Sequence, residues 1–291
     1  MERSVCAVIV TYHPTPEHVA NTIQVRPQVR ELVVVDNGSS EQTVAVLREA
    51  ARSSGFQLIA NGTNLGIASA LNIGVRWAKA RGCDWVIFFD QDSMASDGMV
   101  AAMLAAYDSD SDREQIGTLA PVYVDKASAR EMPVERSKTG QILTVSTSGS
   151  LIPISVFERC GYFREDFFID QVDYEFCLRI ISAGYRIVQC ADAKLRHSLG
   201  MRREYEVGDR YLLTSTHHSA GRRYYIIRNR VTLFRLYWKS FPGYCLGLVE
   251  LTLKDTGKIL LVEGDKIEKL RSTARGLFDG ALGHMGKRVE L

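Results

Sequence analysis

The sequence predicts an α/β fold in which a mostly parallel central sheet carries helices on both faces and is followed by a helical C-terminal region. Two observations predict it. In the N-terminal third, continuous apolar runs alternate with segments whose apolar residues recur at helical spacing, a pattern typical of parallel strands joined by helical crossovers. Each apolar run also ends in a polar turn, as expected where strands deliver side chains to a ligand site.

The elements of the N-terminal third follow from these patterns. Val5–Val10 is a continuous apolar run, which predicts a strand covered by helices on both faces. The other runs that predict strands are Leu32–Val35, Gln57–Ala60 and Trp85–Phe89. Helix-start signals and helical spacing predict one helix ending near Val25 and others over about Glu41–Ser53, Ile67–Lys79 and Gly98–Tyr107. The crossovers between these strands should be right-handed.

The rest of the chain has weaker signals. Asp108–Asp112 is a loop by composition, and the polar stretch 125–141 predicts a mobile loop. Order resumes at Leu143–Thr147, and Ile154–Cys160 predicts a short helix. The C-terminal third is helical by pattern, with an amphipathic stretch from about Tyr244 to Arg275.

Composition excludes some partners. The apolar fraction is 46%, the charged fraction is 24% and the formal net charge is +2, so no overall field points to nucleic acid. Basic residues nevertheless crowd the stretch from Lys194 to Lys239. A basic surface there would suit a phosphate-bearing ligand or an anionic membrane, and a solvated face without a partner is the alternative.

The six cysteines show no C-x-x-C spacing and mostly lie in apolar runs, which predicts reduced core thiols in a cytoplasmic protein. The N-terminus lacks the pattern of a signal peptide. No run reaches the ~18 apolar residues that a spanning helix requires. We therefore expect a cytoplasmic chain that contacts the inner face of the plasma membrane at most peripherally.

The strongest chemical signal is Asp90-x-Asp92, which directly follows a buried strand. Two carboxylates separated by one residue at a strand end can hold a hard divalent cation, which prefers oxygen ligands and neutralises a departing diphosphate. A turn with helix-capping aspartates is the alternative, since D-x-D occurs by chance in many chains.

A second signal is Asp36-Asn37-Gly38-Ser39 at the end of the second strand. A carboxylate there can accept a hydrogen bond from a nucleotide base or a ribose hydroxyl. The alternative is that Asp36 or Ser39 caps the following helix, and both roles are compatible.

Three further segments carry candidate residues. Asp170, Asp173 and Glu175 place carboxylates before an apolar helical pattern, which suits either a catalytic base or a helix start. His197 could complete the metal shell begun by Asp90 and Asp92, although a lone histidine is more often structural. Arg228 follows paired tyrosines and could bind a diphosphate, with a surface arginine on a helix as the alternative.

The order of these motifs resembles the family 2 inverting glycosyltransferases, whose nucleotide-binding half has the GT-A fold. The shared features are the initial V-x-V-T-Y strand, V-V-V-D-N-G-S, the N-x-G segment before a helix, the D-x-D-like triplet, the late acidic helix start and H-x-x-G. The resemblance covers about residues 5–230. It implies a GT-A domain over 1–235, with a nucleotide-sugar half at about 1–95 and an acceptor half at about 140–235, and an amphipathic helical region over 236–291.

The resemblance also implies roles for individual residues. Asp173 would be the catalytic base, and Asp92 and His197 would bind Mg²⁺ or Mn²⁺. The residues implied in nucleotide-sugar binding are Thr11, Tyr12, Asp36, Asn37, Asn64, Gly66, Asp90, Gln91 and Arg228. The family usually has Glu-Asp at this position, with the Asp as the catalytic base, whereas this chain has Val172 before Asp173. Asp170 therefore stays an alternative base, and we favour Asp173.

Within the family, the sequence is similar to the bacterial rhamnosyltransferases of lipopolysaccharide, capsule and rhamnolipid synthesis. D-Q-D-S, F-I-D-x-V-D-x-E-x-x-L-R, H-S-L-G and Y-Y-x-x-R-N carry this similarity. It implies transfer of L-rhamnose from dTDP-L-rhamnose to a saccharide or lipid-linked saccharide acceptor. The amphipathic C-terminal helices suggest either peripheral membrane contact or a homo-oligomer, and a helical cap packed on the same chain is the alternative.

Other functions are weighed against this one. Another donor, such as a UDP-hexose or a different dTDP-deoxysugar, is compatible with every motif. A sugar-phosphate nucleotidyltransferase usually has a glycine-rich loop after its first strand, whereas this chain has Thr11–Pro14 there, without glycine. A non-catalytic nucleotide-binding module would have no need of a base at Asp173.

Overall fold

The computed structural model describes residues 3–126, 128–197, 203–207 and 211–290, with the backbone alone for His197, 203–207 and 211–213. The strands are β1 Val5–Thr11, β2 Glu31–Asp36, β3 Gln57–Ala60, β4 Trp85–Asp90, β5 Met94–Ala95, β6 Ile116–Asp125, β7 Glu131–Met132, β8 Glu135–Arg136, β9 Ile142–Thr144, β10 Leu151–Pro153, β11 Arg186–His197, β12 Arg203–Val207 and β13 Tyr211–Ser215. The helices are α1 Pro16–Gln24, α2 Glu41–Ser54, α3 Ile67–Ala80, α4 Met99–Ser109, α5 Ile154–Cys160, α6 Val172–Ser182, α7 Ala220–Tyr237, α8 Pro242–Leu261 and α9 Lys266–Leu282.

The chain divides into two compact units. The first comprises residues 1–165 and 173–198, and the second comprises 166–172 and 199–291. The first unit therefore contains the predicted sheet. The second is built from α7, α8 and α9 together with the β12–β13 hairpin.

The first unit is organised around a mixed, mostly parallel sheet. In the described residues its strand order is β3-β2-β1-β4-β10-β6-β11-β5, with β7 beside β6. The pairs β1–β2, β1–β4, β2–β3 and β6–β11 are parallel, whereas β10 runs antiparallel to β4 and β6. The predicted α/β fold and its four N-terminal strands are confirmed.

Helices cover both faces of this sheet. Successive side chains of a strand point to opposite faces, so each strand packs against helices on both sides. On one face, Ile87 and Phe89 of β4 pack in a core that includes Met99 and Met103 of α4. On the other face, the Phe88 ring lies 6.2 Å from that of Phe157 in α5. Burial on both faces explains why these strands are continuous apolar runs rather than alternating ones.

Helix α3 packs closely against β1 through a glycine. A Cβ at Gly74 would lie 2.2 Å from Val8 Cγ1. The absence of a side chain at Gly74 therefore sets the separation of α3 from the sheet. The helix begins directly after Gly66, so this packing also places the N-terminus of α3 at the carboxyl edge of the sheet.

The predicted helical C-terminal region is confirmed as α7, α8 and α9. The C-terminal third also has a β-hairpin, β12–β13, where a helical pattern was expected. The sequence of β12 alternates charged and apolar residues, which is a period of two rather than 3.6. The amphipathic stretch beyond Tyr244 is also two helices, because Asp265 before α9 has a left-handed backbone (φ 53°).

The predicted domain boundary at residue 235 falls inside α7. This helix makes its main contacts with α9 and belongs to the second unit. The second compact unit comprises residues 166–172 and 199–291, and the division of the chain into functional domains at 235 stays a prediction.

The sequence suggested a basic surface between Lys194 and Lys239. The arginines of α7 do not form a single surface of this kind. Arg223, Arg228 and Arg230 are buried. Arg223 pairs with Glu263 at 2.7 Å, and Arg230 pairs with Asp255 at 2.9 Å. Because these guanidinium groups are buried and bonded inside the second unit, they are not exposed for contact with a phosphate or a membrane.

Many large apolar side chains of the second unit are exposed. Those of α8 and α9 are Leu246, Val249, Leu251, Leu253, Leu260, Leu261, Ile267, Leu277, Phe278 and Leu282. Leu246, Val249, Leu253 and Leu260 follow helical spacing, so they form one stripe on α8. No helix of the described residues is long and apolar enough to cross a membrane.

All six cysteines are free, and only Cys160 is less than fully buried. Burial raises the pKa of Cys190 to about 11. The prediction that they are core thiols agrees with these positions.

Stability of the second unit should depend on pH through His218. Burial, together with the positive charges of Arg222 and Arg223, lowers the pKa of His218 to about 4. The unfolded chain, with a histidine pKa of about 6.5, then binds this proton more readily than the folded chain. The contribution is complete above pH 6.5 and is lost as the pH falls toward 4, by on the order of 2 kcal/mol. Urea unfolding across pH 4–7 measures it. His218→Gln should flatten the slope, and an unchanged slope would contradict the assignment.

Candidate active site

The carboxyl ends of three neighbouring strands meet at one edge of the sheet. The parallel register places Thr11 of β1 opposite Asp36 of β2, and Val10 opposite Asp90 of β4. Because these strands run in the same direction, the polar turns that follow them lie side by side. This register brings together residues of the first unit that were predicted to bind the nucleotide sugar.

Asp36 organises the turn after β2. Its residue surface is fully buried, and its carboxylate accepts hydrogen bonds from Thr11 Oγ1 at 3.1 Å, Ser39 N at 2.9 Å and Gly38 N at 3.3 Å. Ser39 Oγ donates to it as well, at 2.5 Å. Four donors compensate the burial of this charge. The cap of α2 is Ser40, whose side chain accepts from Thr43 N, so the alternative that Asp36 or Ser39 caps this helix is wrong.

Asn37 and Asn64 join two of these turns. Asn37 Nδ2 donates to Asn64 Oδ1 at 3.0 Å, and Asn37 Oδ1 accepts from Leu65 N at 3.1 Å. Asn64 Oδ1 also accepts from Gly66 N at 2.9 Å, immediately before α3 begins. The two amides therefore hold the 61–66 loop against the end of β2, with Asn64 half-buried and accessible.

Gly38 is required where these loops cross. Its φ is +101°, and a Cβ there would lie 2.5 Å from Thr63 C and 2.6 Å from Asn64 N. Both the backbone conformation and the space exclude a side chain. Gly62, in the neighbouring loop, also has a positive φ (+72°), but nothing lies within 4 Å of its Cβ position.

Tyr12 and Gln91 connect the turns after β1 and β4. Tyr12 N donates to Gln91 Oε1 at 2.9 Å, and Gln91 Nε2 donates back to Tyr12 O at 3.3 Å. The Tyr12 side chain is 46% exposed. The backbone is thus fixed while the aromatic ring stays available for stacking on a ligand.

Asp90 and Asp92 lie at the end of β4, and both are half-buried. Asp90 N donates to Ser148 Oγ at 3.0 Å, and Ser148 in turn bonds to Ser93. The Lys126 ammonium donates to the backbone carbonyl of Asp92. Ser148 and Lys126 are site residues that the sequence analysis missed, because each lies in a segment without a motif.

The metal role of Asp90 and Asp92 stays a prediction. Carboxylate oxygens are the ligand type that a hard divalent cation prefers. Within the described part of the chain, no group of three or more His, Cys, Asp or Glu side chains is placed to hold a metal. His197, the predicted second protein ligand, lies at the end of β11, and its side chain is outside the described residues.

Asp173 is the second residue of α6 and lines a small pocket of the first unit. The side chains that share this pocket include Ser146, Thr147, Ser150 and Cys177. Burial, followed by the nearby Asp173 and Glu175 carboxylates, raises the pKa of the Cys177 thiol to about 12. The loop that carries Ser146 and Thr147 also carries Ser148, the acceptor for Asp90 N. One loop thus contacts both predicted carboxylate positions.

The two other carboxylates of this acidic segment are held in ion pairs. Asp170 accepts from Arg222 Nη2 at 3.0 Å and from its Nε at 3.2 Å. Glu175 is buried and pairs with Arg179 at 2.7 Å. Each therefore has a structural partner that stabilises its charge.

Arg228 is placed differently from its prediction as a diphosphate ligand. The residue is fully buried in the second unit. Its guanidinium donates to the carbonyls of Gly286 at 2.6 Å, Phe167 at 2.8 Å and Asp166 at 3.2 Å, and to Asn229 Oδ1 at 2.9 Å. Since these acceptors occupy its donors, neither the diphosphate role nor the surface alternative agrees with this placement.

Comparison with known proteins gives three relatives that are described as glycosyltransferases. The chain is 30% identical to the dTDP-rhamnosyl transferase RfbF of Shigella flexneri, over 98% of each protein. It is 27% identical to the galactofuranosyltransferase GlfT1 of Mycobacterium tuberculosis, over 79% of this chain and 82% of that protein. It is 28% identical to the O-antigen chain rhamnosyltransferase RfbN of Salmonella typhimurium, over 66% of this chain and 64% of that protein.

A solved structure has the same fold. The mannosyltransferase PcManGT of Pyrobaculum calidifontis, determined in complex with GDP-Man and Mn²⁺, aligns with a TM-score of 0.63 and 18% identity. The alignment covers 97% of this chain and 76% of that one. The model of glycosyl transferase family 2 matches residues 6–168, which is more than half of the 291 residues. The chain has the GT-A fold and belongs to glycosyl transferase family 2.

Proposed function

We propose that this enzyme transfers L-rhamnose from dTDP-L-rhamnose to a hydroxyl of a saccharide acceptor in bacterial cell-surface polysaccharide synthesis. The observation that carries the reaction class is the meeting of Asp36, Asn64, Asp90 and Asp92 at one sheet edge. The donor is supported by the similarity to RfbF along almost the whole chain.

The strand-end turns supply the donor site. Tyr12, Asn64 and Gln91 have accessible surface and form the wall for the base and ribose. Thr11, Asp36, Asn37 and Gly66 lie behind them and set the shape of the turns. Asp36 can accept a hydrogen bond from the nucleotide base only if one of its present hydrogen bonds breaks. A buried, fully bonded support of this kind keeps the accessible groups in place before the ligand arrives.

Asp173 is the base in this proposal. The acceptor hydroxyl attacks the anomeric carbon, the new C–O bond forms as the bond to the diphosphate oxygen breaks, and dTDP leaves. Asp173 takes the proton of the hydroxyl, and the configuration at the anomeric carbon inverts. A carboxylate near neutral pH is already ionised. Asp170 is less suited, because its carboxylate is held by Arg222.

Asp92, with Asp90 beside it, would hold Mg²⁺ or Mn²⁺. The bound ion supplies charge neutralisation for the departing diphosphate. Lys126, at the backbone of Asp92, adds a fixed positive charge to the same edge. Mn²⁺ accompanies GDP-Man in PcManGT, which supports this choice of metal.

Other donors are the main alternative. The similarity to GlfT1 covers 79% of the chain, so a galactofuranosyl donor is the specific competitor to rhamnose. Since both donors are nucleotide sugars, a donor panel is the direct way to separate them.

The exposed apolar stripe of α8 bears on where the enzyme acts and on its acceptor. We place the enzyme in the cytoplasm, where the exposed apolar stripe of α8 would contact either the inner face of the plasma membrane or a second copy. A lipid-linked saccharide acceptor would be compatible with the first arrangement.

Gly38→Ala should weaken nucleotide binding, because its Cβ would displace Thr63 and Asn64. We expect the Kd for dTDP to rise at least tenfold and the free energy of unfolding to fall by about 2 kcal/mol. Gly62→Ala is the matched control: it carries the cost of a positive φ without the clash. Calorimetric titration of both variants checks this. Equal effects in the two would contradict the role of the loop crossing.

The donor assignment is checked by thermal shift with Mn²⁺ and a panel of nucleotide sugars. Binding at ~100 times the Kd should stabilise the fold by ~2.7 kcal/mol. We expect dTDP-L-rhamnose to give the largest shift and Asp92→Ala to lose most of it. A larger shift with a UDP-sugar would overturn rhamnose and keep the enzyme class. No shift with any donor would count against the whole proposal.

The base is tested by comparing Asp173→Asn with Asp170→Asn. Asp173→Asn should retain the Kd for the donor while kcat falls by about 10²–10⁴-fold, the usual contribution of a general base. Asp170→Asn should lose much less. The reverse order, measured by release of dTDP with acceptor present, would assign the base to Asp170.

A further inference from the structure

The segment that precedes α6 has an unusual backbone. Phe168, Asp170 and Gln171 have φ values of 64°, 61° and 63°. The left-handed region costs a residue with a side chain roughly 1–2 kcal/mol. Three such residues within four positions persist only where the surroundings determine the conformation.

Asn229 of α7 holds this segment. Its Nδ2 donates to the carbonyl oxygens of Phe167 at 3.1 Å, Ile169 at 2.8 Å and Asp170 at 2.8 Å. The residue is fully buried. One amide nitrogen therefore collects three carbonyls of the turn, which a regular backbone would not direct to one point.

Arg228 fixes Asn229 and extends the contact. Its Nε donates to Asn229 Oδ1 at 2.9 Å, which orients the amide with its nitrogen toward the segment. Its Nη2 donates to Phe167 O at 2.8 Å and to Asp166 O at 3.2 Å. The Arg228–Asn229 pair thus binds four carbonyls of residues 166–170.

Two side-chain contacts complete the arrangement. Arg222, on the same helix, forms a two-atom ion pair with Asp170. The Phe168 ring packs on that of Tyr225, with centroids 5.1 Å apart. The four residues that hold the segment, Arg222, Tyr225, Arg228 and Asn229, all come from one helix, α7. Helix α7 and the segment 166–172 both belong to the second unit.

The held segment leads directly into the proposed base. It ends at Val172, the first residue of α6, and Asp173 is the second. We propose that Arg228 and Asn229 are positioning residues, which keep Phe168, Asp170 and Gln171 in the left-handed conformation from which the chain enters α6 at Asp173. The inference rests on the proposed function, in which Asp173 is the base. It gives the Y-Y-x-x-R-N motif a role in place of diphosphate binding.

The first test replaces the amide. Asn229→Ala should lower kcat by about 10²-fold, the order expected when a reacting group is misplaced by ~1 Å, while the Kd for the donor stays within twofold. Arg230→Gln is the matched control on the same helix, since Arg230 bonds to Asp255 and Thr252. It should lower the melting temperature and keep kcat. Equal losses of kcat in the two variants, or none in Asn229→Ala, would overturn the positioning role.

The second test asks whether the left-handed backbone is what the pair holds. In the Asn229→Ala background, Gln171→Gly removes the cost of a positive φ, whereas Gln171→Ala removes the same side-chain amide and keeps the cost. Glycine should restore kcat about fivefold relative to alanine. Identical kcat values for the two double variants would overturn the claim.

Asp173→Asn, measured in the same assay, separates the two proposals. If it keeps full activity, the proposed base is wrong. If it is inactive while Asn229→Ala keeps kcat, the base stands and the positioning inference is wrong. Should Asn229→Ala fail to fold, Asn229→Ser retains one donor, and a loss of about tenfold in kcat is then expected, with unchanged kcat contradicting the inference.

Discussion

The parallel pairing of β1 with β2 and β4 is the constraint on which the site depends. It carries Thr11, Asp36 and Asp90 to one edge, where three polar turns must satisfy each other's buried groups. The Asp36 carboxylate and the Asn37 amide do so through direct hydrogen bonds. A one-residue slip of β1 would turn its side chains to the other face and separate these partners. Apolar burial along the strands thus fixes the polar geometry at their ends.

The second unit satisfies its charges in a different way. Arg223, Arg228 and Arg230 are buried, and each is bound by carboxylates or carbonyls. Breaking one of these pairs would leave a buried charge uncompensated, which costs about 3–5 kcal/mol. Cations of this kind are structural, and Arg228, of these three, also bonds to the carbonyls of residues 166 and 167, in the segment that enters α6. The charged surface of this unit is consequently smaller than its sequence indicates.

The sheet was predictable because four apolar runs ended in polar turns, and the position of Asp90 and Asp92 at the end of β4 was predictable from the buried run before them. The burial of Arg228 was not, since spacing along α7 does not reveal which carbonyls are brought to it. The β12–β13 hairpin was missed because a short alternating segment lies within a region rich in helical patterns. Ser148 and Lys126 could not be found either, because tertiary pairing alone brings them to β4.

A crystal structure with dTDP and Mn²⁺, with the metal located by its anomalous signal, tests the central claim most directly. We expect one Mn²⁺ peak, bonded to the Asp92 carboxylate and the diphosphate. The thymine base should lie against Tyr12 and Asn64 at the carboxyl edge of β1 and β2. A nucleotide bound away from these strand ends, or a metal that does not contact Asp90 or Asp92, would contradict it.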